Sequence, residues 1–222
     1  MDCGSGITRR LAEHRIEWQR LTHVALTHFH IDHHGDLPTL IFGLKYGMLP
    51  ARSAPLEIIG PEGTKELLDR VAGAYGEWLL KPGFEVTVRE LRPGDHHDLG
   101  GAAIMPFKVP HTPESVAYSI TRGGRRVVYT GDTGVSPELG VWARDCDLLI
   151  AECSLPSNMA IAEHLTPEQA GELGLAARPR MLALTHFYPP VEQVDIEAEV
   201  RRHYAGPLTL AHDGWAFEIE EH

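Results

Sequence analysis

The sequence predicts an α/β fold of two packed sheets with helices outside, and three observations carry that prediction. Short β-branched or apolar runs alternate with helical patterns, and several of the runs follow one another directly, as hairpin strands do. The chain has 222 residues, 43% of them hydrophobic, enough for a sizeable core in one domain or at most a two-layered pair sharing a core. Residues 1–222 are therefore read as a single domain.

The expected strands are "HVALTH" (23–28), "LEIIG" (56–60), "EVTVREL" (85–91), "AAIMPFKV" (102–109), "SVAYSIT" (115–121), "RRVVYTG" (125–131), "DLLIAE" (147–152), "RMLALTH" (180–186) and "LTLAHDGWAFEI" (208–219). Between the fifth and sixth, Arg122-Gly123-Gly124-Arg125 reads as a tight hairpin turn, because its glycines accept positive φ. Helices fall between strands. Leu37, Leu40, Ile41 and Leu44 share one face, with Pro38 in the first turn, where its missing donor costs nothing. Leu67, Leu68, Val71, Trp78 and Leu79 make a second apolar stripe. Thr166-Pro167-Glu168-Gln169 has the form of a capping box and starts a helix directly after His164.

Composition excludes several classes of function. No run approaches the roughly 18 consecutive apolar residues of a membrane span, and the N-terminus lacks a basic region followed by an apolar signal core, so a cytoplasmic protein is expected. A net charge of -11 argues against a broad basic face for nucleic acid, although divalent ions at a site change the local balance. Three cysteines, Cys3, Cys146 and Cys153, lack paired spacing and do not form a disulfide framework or thiolate zinc site; Cys146 and Cys153 bound an apolar run, as buried thiols do. Fourteen histidines are more telling, because imidazole is the commonest metal ligand and an acid or base near neutral pH.

Four of those histidines and two aspartates crowd "ALTHFHIDHHGDLP", residues 25–38. If the chain stays extended past the first strand, a period of two aims His28, His30 and Asp32 to one side, while His33 comes from the turn into the next helix. Imidazole nitrogen with carboxylate oxygen is what zinc and similar borderline metals take where thiolate is absent. Three later strand ends offer groups of the same kind: His111 in "VPHTPES", Asp132 in "YTGDTG" and His186 in "LTHFYP".

In that order, "THFHIDHHGD", "PHTPE", "YTGDTG", "EHLTPEQA" and "LTHFYP" resemble the successive motifs of the metallo-β-lactamase superfamily, most like its ribonuclease Z and related phosphodiesterase branch. The resemblance covers nearly the whole chain. It implies a four-layered αββα sandwich of two mixed sheets with a metal site at one edge. It also implies two divalent ions, zinc first, with manganese or iron as alternatives. His28, His30 and His111 would hold one ion, Asp32, His33 and His186 the other, and Asp132 would bridge them. A shared water or hydroxide would be the nucleophile, and Asp32 would also accept its proton. The matching role for His164 is to help the leaving oxygen depart as a general acid, with Glu163 as a partner on adjacency alone. Asp2 in "DCGSG" matches the family's early turn and orients a ligand histidine, although a plain turn fits equally well. Asp213 and Gly214 in "AHDG" match its closing strand, as a turn or as support for the ligands. The remaining histidines stay outside the site: His96 and His97 in a solvent-facing turn, His34 pointing away from His33, and His14, His23, His203, His212 and His222 at surface or packing positions.

Two departures bear on function. The family usually opens with a strand pair before the "DCGSG" turn, whereas Met1 directly precedes it here. Either the start lies upstream, the chain is shortened, or a second subunit covers the bare sheet edge in a homodimer. True ribonuclease Z also carries a long transfer-RNA-holding arm between the third histidine motif and the aspartate motif. Residues 112–131 hold only one expected hairpin, which favours a smaller phosphodiester or an RNA end as substrate. Arg9, Arg10, Arg125, Arg126, Arg178 and Arg180 are candidates for local anion contacts or for a solvated face. Three readings compete: a phosphodiesterase, a thioester, lactone or carboxylic ester hydrolase, and a metal-binding or redox module without hydrolytic activity. The last is weakest, because the flavodiiron pattern has glutamate where His30 stands and all seven expected ligands are present.

Overall fold

The computed structural model describes residues 1–219, so His222 lies outside the described residues. The chain divides into two compact units, Met1–Arg92 and Pro93–His222. In the first, β1 (His23–Ala25), β2 (Leu56–Gly60) and β3 (Val86–Glu90) form a sheet in that order, parallel throughout rather than mixed as expected. The reason is connectivity: each link carries a helix, and a helical crossover brings the chain back in the same direction.

Helix α1 (Ile7–Glu13) precedes β1; α2 (Ile31–His34) and α3 (Leu37–Tyr46) lie between β1 and β2, and α4 (Thr64–Tyr75) between β2 and β3. The stripe expected for α3 is buried, with Pro38 in its first turn. The second stripe is split: Gly76 at φ 105° ends α4, and Trp78 and Leu79 fall on a separate 3-10 turn. Leu26, Ile41, Leu44, Leu56, Ile58 and Leu79 fill this unit's core together with Cys3. Each such apolar side chain removed from water contributes about 1.5–3 kcal/mol.

The second unit contains a seven-stranded mixed sheet. Its strands are β4 (His97–Asp98), β5 (Ala103–Lys108), β6 (Val116–Arg122), β7 (Arg125–Tyr129), β8 (Leu148–Glu152), β9 (Met181–Thr185) and β10 (Leu208–Leu210), in the order β10-β9-β8-β7-β6-β5-β4. Strands β4 to β7 are antiparallel and β7 to β10 parallel. Again helices make the parallel links: α5 (Pro137–Trp142), α6 (Pro167–Ala177) and α7 (Ile196–Arg201). The β6–β7 hairpin turns on Gly123 and Gly124 at φ 55° and 76°, as two consecutive left-handed residues require. The capping box of α6 is complete, Thr166 accepting from the Gln169 N–H and Gln169 from the Thr166 N–H.

Two expectations are corrected here. His97 is not in a turn: it and Asp98 pair with Ile104 and Ala103 as β4, a two-residue strand too short to leave an alternating pattern. The run at 208–219 is strand only to Leu210, because Asp213 and Gly214 turn the chain. All six arginines singled out as anion contacts have partners within the chain. Arg9 and Arg10 pair with Glu13, Arg178 with Asp145, and Arg125 and Arg180 with Asp147. Arg126 donates to Ser119 and to the Trp142 carbonyl.

Two expected results follow from this packing. Asp147 is buried; burial pushes its carboxyl up, but the Arg126 N–H and the Arg180 and Arg125 guanidinium groups outweigh that and hold it below the usual carboxylate range. Its stabilising contribution is therefore present above the unfolded value of about 3.9 and lost as pH falls through the lower folded value. Asp147→Ala should cost about 1–3 kcal/mol at neutral pH, read by urea denaturation, and the difference from the unsubstituted protein should shrink in acid. The thiols of Cys3 and Cys153, pushed up to about 12 by burial, and of Cys146, pushed to about 11, should resist a thiol reagent at pH 8 in the native protein and react fully after denaturation.

Candidate metal centre

Within Met1–Arg92, β1 delivers the chain to Thr27 and His28 in the core, both nearly inaccessible to solvent. The backbone is still extended at His30 (φ -68°, ψ 146°) and then winds into α2. Asp32 and His33 thus share one helical turn, where an extended chain had been expected to carry Asp32 on the His28 side. His28 and His30 have ring centroids 4.7 Å apart, His28 and His33 4.1 Å, and the His33 Nε2 lies 3.7 Å from an Asp32 carboxylate oxygen.

The "DCGSG" segment explains how this loop is held. Asp2 N–H donates to the Ala25 carbonyl and Cys3 N–H to that of His33, each at 2.7 Å. A side chain on Gly4 would collide with the Asp32 carbonyl at 1.9 Å, so glycine is required by close approach. Asp2 is thereby delivered to the candidate ligands: it takes His33 Nδ1 at 2.7 Å, the Thr27 N–H at 2.7 Å and the Thr27 hydroxyl at 2.9 Å. The choice between plain turn and support for a histidine falls to the second. His34 points elsewhere, its Nε2 against the Phe29 carbonyl at 3.1 Å, and burial holds its imidazole below the usual value.

Within Pro93–His222 the groups come from successive strand ends. Asp132 follows β7, His111 follows β5 and His186 follows β9, the last in a left-handed conformation at φ 59°. Asp132 is buried and faces a different histidine with each oxygen: Oδ2 is 3.8 Å from His111 Nε2 and Oδ1 3.4 Å from His186 Nε2. These separations exceed hydrogen-bond length. They match two ligands of one cation, since donors about 2.1 Å from an ion at a tetrahedral angle lie about 3.4 Å apart.

Beside them stands a buried carboxylate that the sequence reading missed. Glu152, at the end of β8, accepts His164 Nδ1 at 2.8 Å and the Thr133 N–H at 2.7 Å on Oε1, and the Leu165 N–H and Ser154 hydroxyl on Oε2. Glu163, named as the His164 partner on adjacency, is exposed at its side chain; its carbonyl accepts His111 Nδ1 at 2.9 Å instead. Glu152, His164 and His186 form a tight group of candidate ligands in their own right. The Tyr188 ring packs against both histidines, with centroids 5.5 Å from His164 and 5.1 Å from His186. The signal for Glu152 lay in its position, at a strand end like the other site groups. Asp213 lies in an exposed turn.

The donor set suits a borderline divalent cation. It consists of imidazoles and carboxylates, while the three thiols lie in the cores. Moreover, the Nδ1 of His28, His33, His111 and His186 each meets an oxygen partner, at 3.1, 2.7, 2.9 and 2.8 Å. Such partners fix ring orientation and leave Nε2 as the coordinating nitrogen.

Over residues 1–187 the chain matches the family described as the β-lactamase superfamily domain. The chain belongs to that family. An uncharacterised protein of Mycobacterium leprae is 31% identical over 99% of this chain and 78% of its own length. The metallo-β-lactamase fold protein YhfI from Bacillus subtilis superposes with a TM-score of 0.82 at 26% identity, over 96% of this chain and 83% of that one. Human tRNase Z, short form, gives 0.79 at 26% identity over 99% and 87%. The metallo-β-lactamase fold expected from the motifs is thus present, as is the likeness to the ribonuclease Z branch. No helix among the described residues is long and apolar enough to cross a membrane.

Proposed function

We propose that this metallo-β-lactamase-type protein is a dinuclear metal-dependent phosphodiesterase acting on a small phosphodiester or an RNA end. In this reading His28, His30 and His111 hold one ion, Asp32, His33 and His186 hold the other, and Asp132 serves both. Its two oxygens, each directed at a different histidine, support the bridging role. When bound, such ions make water nucleophilic at neutral pH and stabilise charge growing on the attacked centre. Asp32, half exposed beside His33, is placed to receive the proton of the attacking water.

The observation that carries the choice of substrate bond is the buried Glu152–His164 pair at 2.8 Å. Glu152 fixes the Nδ1–H tautomer and orients the ring, so in this reading the other ring nitrogen serves as the acid. An alkoxide leaving a phosphodiester needs that proton; a thiolate leaving a thioester does not. The likeness to human tRNase Z supports phosphodiester chemistry. The short β6–β7 hairpin between His111 and Asp132 supports a substrate smaller than transfer RNA.

The test is metal analysis of the purified protein with a screen of bis(p-nitrophenyl) phosphate, cyclic nucleotides, short RNA, thioesters and lactones. Two ions per chain and cleavage of a diester are expected. Metal-replete protein that cleaves only thioesters or lactones would transfer the assignment to the ester hydrolases of this fold.

A further inference from the structure

Each unit contains the same small device, and nothing in the ligand assignment requires it. In the first unit the Thr27 hydroxyl donates to Asp2 and lies 3.1 Å from His28 Nδ1. In the second the Ser154 hydroxyl donates to Glu152 and lies 2.8 Å from His186 Nδ1. Each carboxylate also takes a second histidine directly, His33 on Asp2 and His164 on Glu152. Both hydroxyls are buried, at 1% and 0% exposure.

A hydroxyl has one proton. Glu152 receives two donors on each oxygen, two of the four being backbone N–H groups, and so acts as an acceptor throughout. The Ser154 proton is committed to it, and the Ser154 oxygen can then only accept from His186. The same counting applies at Thr27, whose N–H and hydroxyl both point at Asp2. We propose that Thr27 and Ser154 are positioning residues that lock His28 and His186 in the Nδ1–H tautomer, each relaying a carboxylate to a second histidine.

This inference rests on the two-metal reading for its consequence but not for its geometry. His186 itself stands in the left-handed region, at φ 59°. Through Glu152, Ser154 also ties the His186 ring to that of His164, so ligand and acid are oriented by one carboxylate.

The experiment has two arms on Thr27→Val, Thr27→Ser and Ser154→Ala. Titration of the apo-proteins with zinc against a competing chelator should show two ions in the unsubstituted protein. In Thr27→Val and Ser154→Ala one ion should weaken about ten- to hundredfold, and in Thr27→Ser the affinity should be retained. Histidine 15N NMR of the apo-proteins should show Nδ1–H at His28 and His186, with a mixture of tautomers at His28 in Thr27→Val and at His186 in Ser154→Ala. Unchanged tautomers and affinities would overturn the proposal, as would a Thr27→Ser protein as weak as Thr27→Val, which would assign the effect to packing. An unsubstituted protein that takes up no zinc would sink the metal reading instead, and the NMR arm would still decide the lock.

Discussion

Asp132→Ala should lower kcat/KM for any diester by on the order of a thousandfold or more and should leave the protein with less than its full complement of metal. Asp132 sits in the core at 2% exposure, and its two oxygens address two different histidines. Neither half of that arrangement can be supplied by water without losing the geometry, so the loss should exceed the ten- to hundredfold typical of a group that only supports a ligand. Steady-state kinetics combined with elemental analysis check it. Activity within tenfold of the parent protein, with two ions retained, would remove Asp132 from the centre.

His164→Ala should behave differently. Metal content should hold, while kcat falls about a hundred- to ten-thousandfold on diesters whose alcohol departs as an alkoxide, the range associated with loss of a positioned acid. On bis(p-nitrophenyl) phosphate the loss should be far smaller, because a stabilised phenolate departs without a proton. Glu152→Gln should lower kcat as well and should also disturb the histidine contacts, since an amide NH2 in place of one oxygen leaves two of the four donors without an acceptor. Equal losses on both substrate types would mean that His164 serves binding or metal retention. Thioesterase activity indifferent to the change would favour the ester-hydrolase reading.

What was legible in the sequence was whatever depends on local pattern. Apolar runs such as "LEIIG" and "DLLIAE" became β2 and β8, and the Thr166 capping box started α6 where expected. The alternation rule failed after His30, because a histidine-rich segment carries no apolar face to distinguish strand from helix, and α2 winds through Asp32 and His33. Short α1, α5 and α7 left too few turns for a stripe. The site divided along the same line. Its candidate ligands could be named from the sequence as strand-end histidines and aspartates, but their oxygen partners could not. Asp2 lies 31 positions from His33, and Glu152 12 positions from His164. Such pairs are set by β1 and β8 entering sheets, and adjacency pointed to Glu163 instead. Ser154 and Thr27 were invisible for a related reason, since a lone hydroxyl has meaning only once both of its neighbours are known.

The two-ion reading proposed above assigns seven side chains to one pair of ions. Anomalous diffraction at the zinc edge from crystals of the metal-replete protein tests it most directly. The account predicts two peaks about 3.5–4 Å apart, with Asp132 bonded to both, His28, His30 and His111 on one, and Asp32, His33 and His186 on the other. A single ion, or no zinc at Asp132, would contradict it.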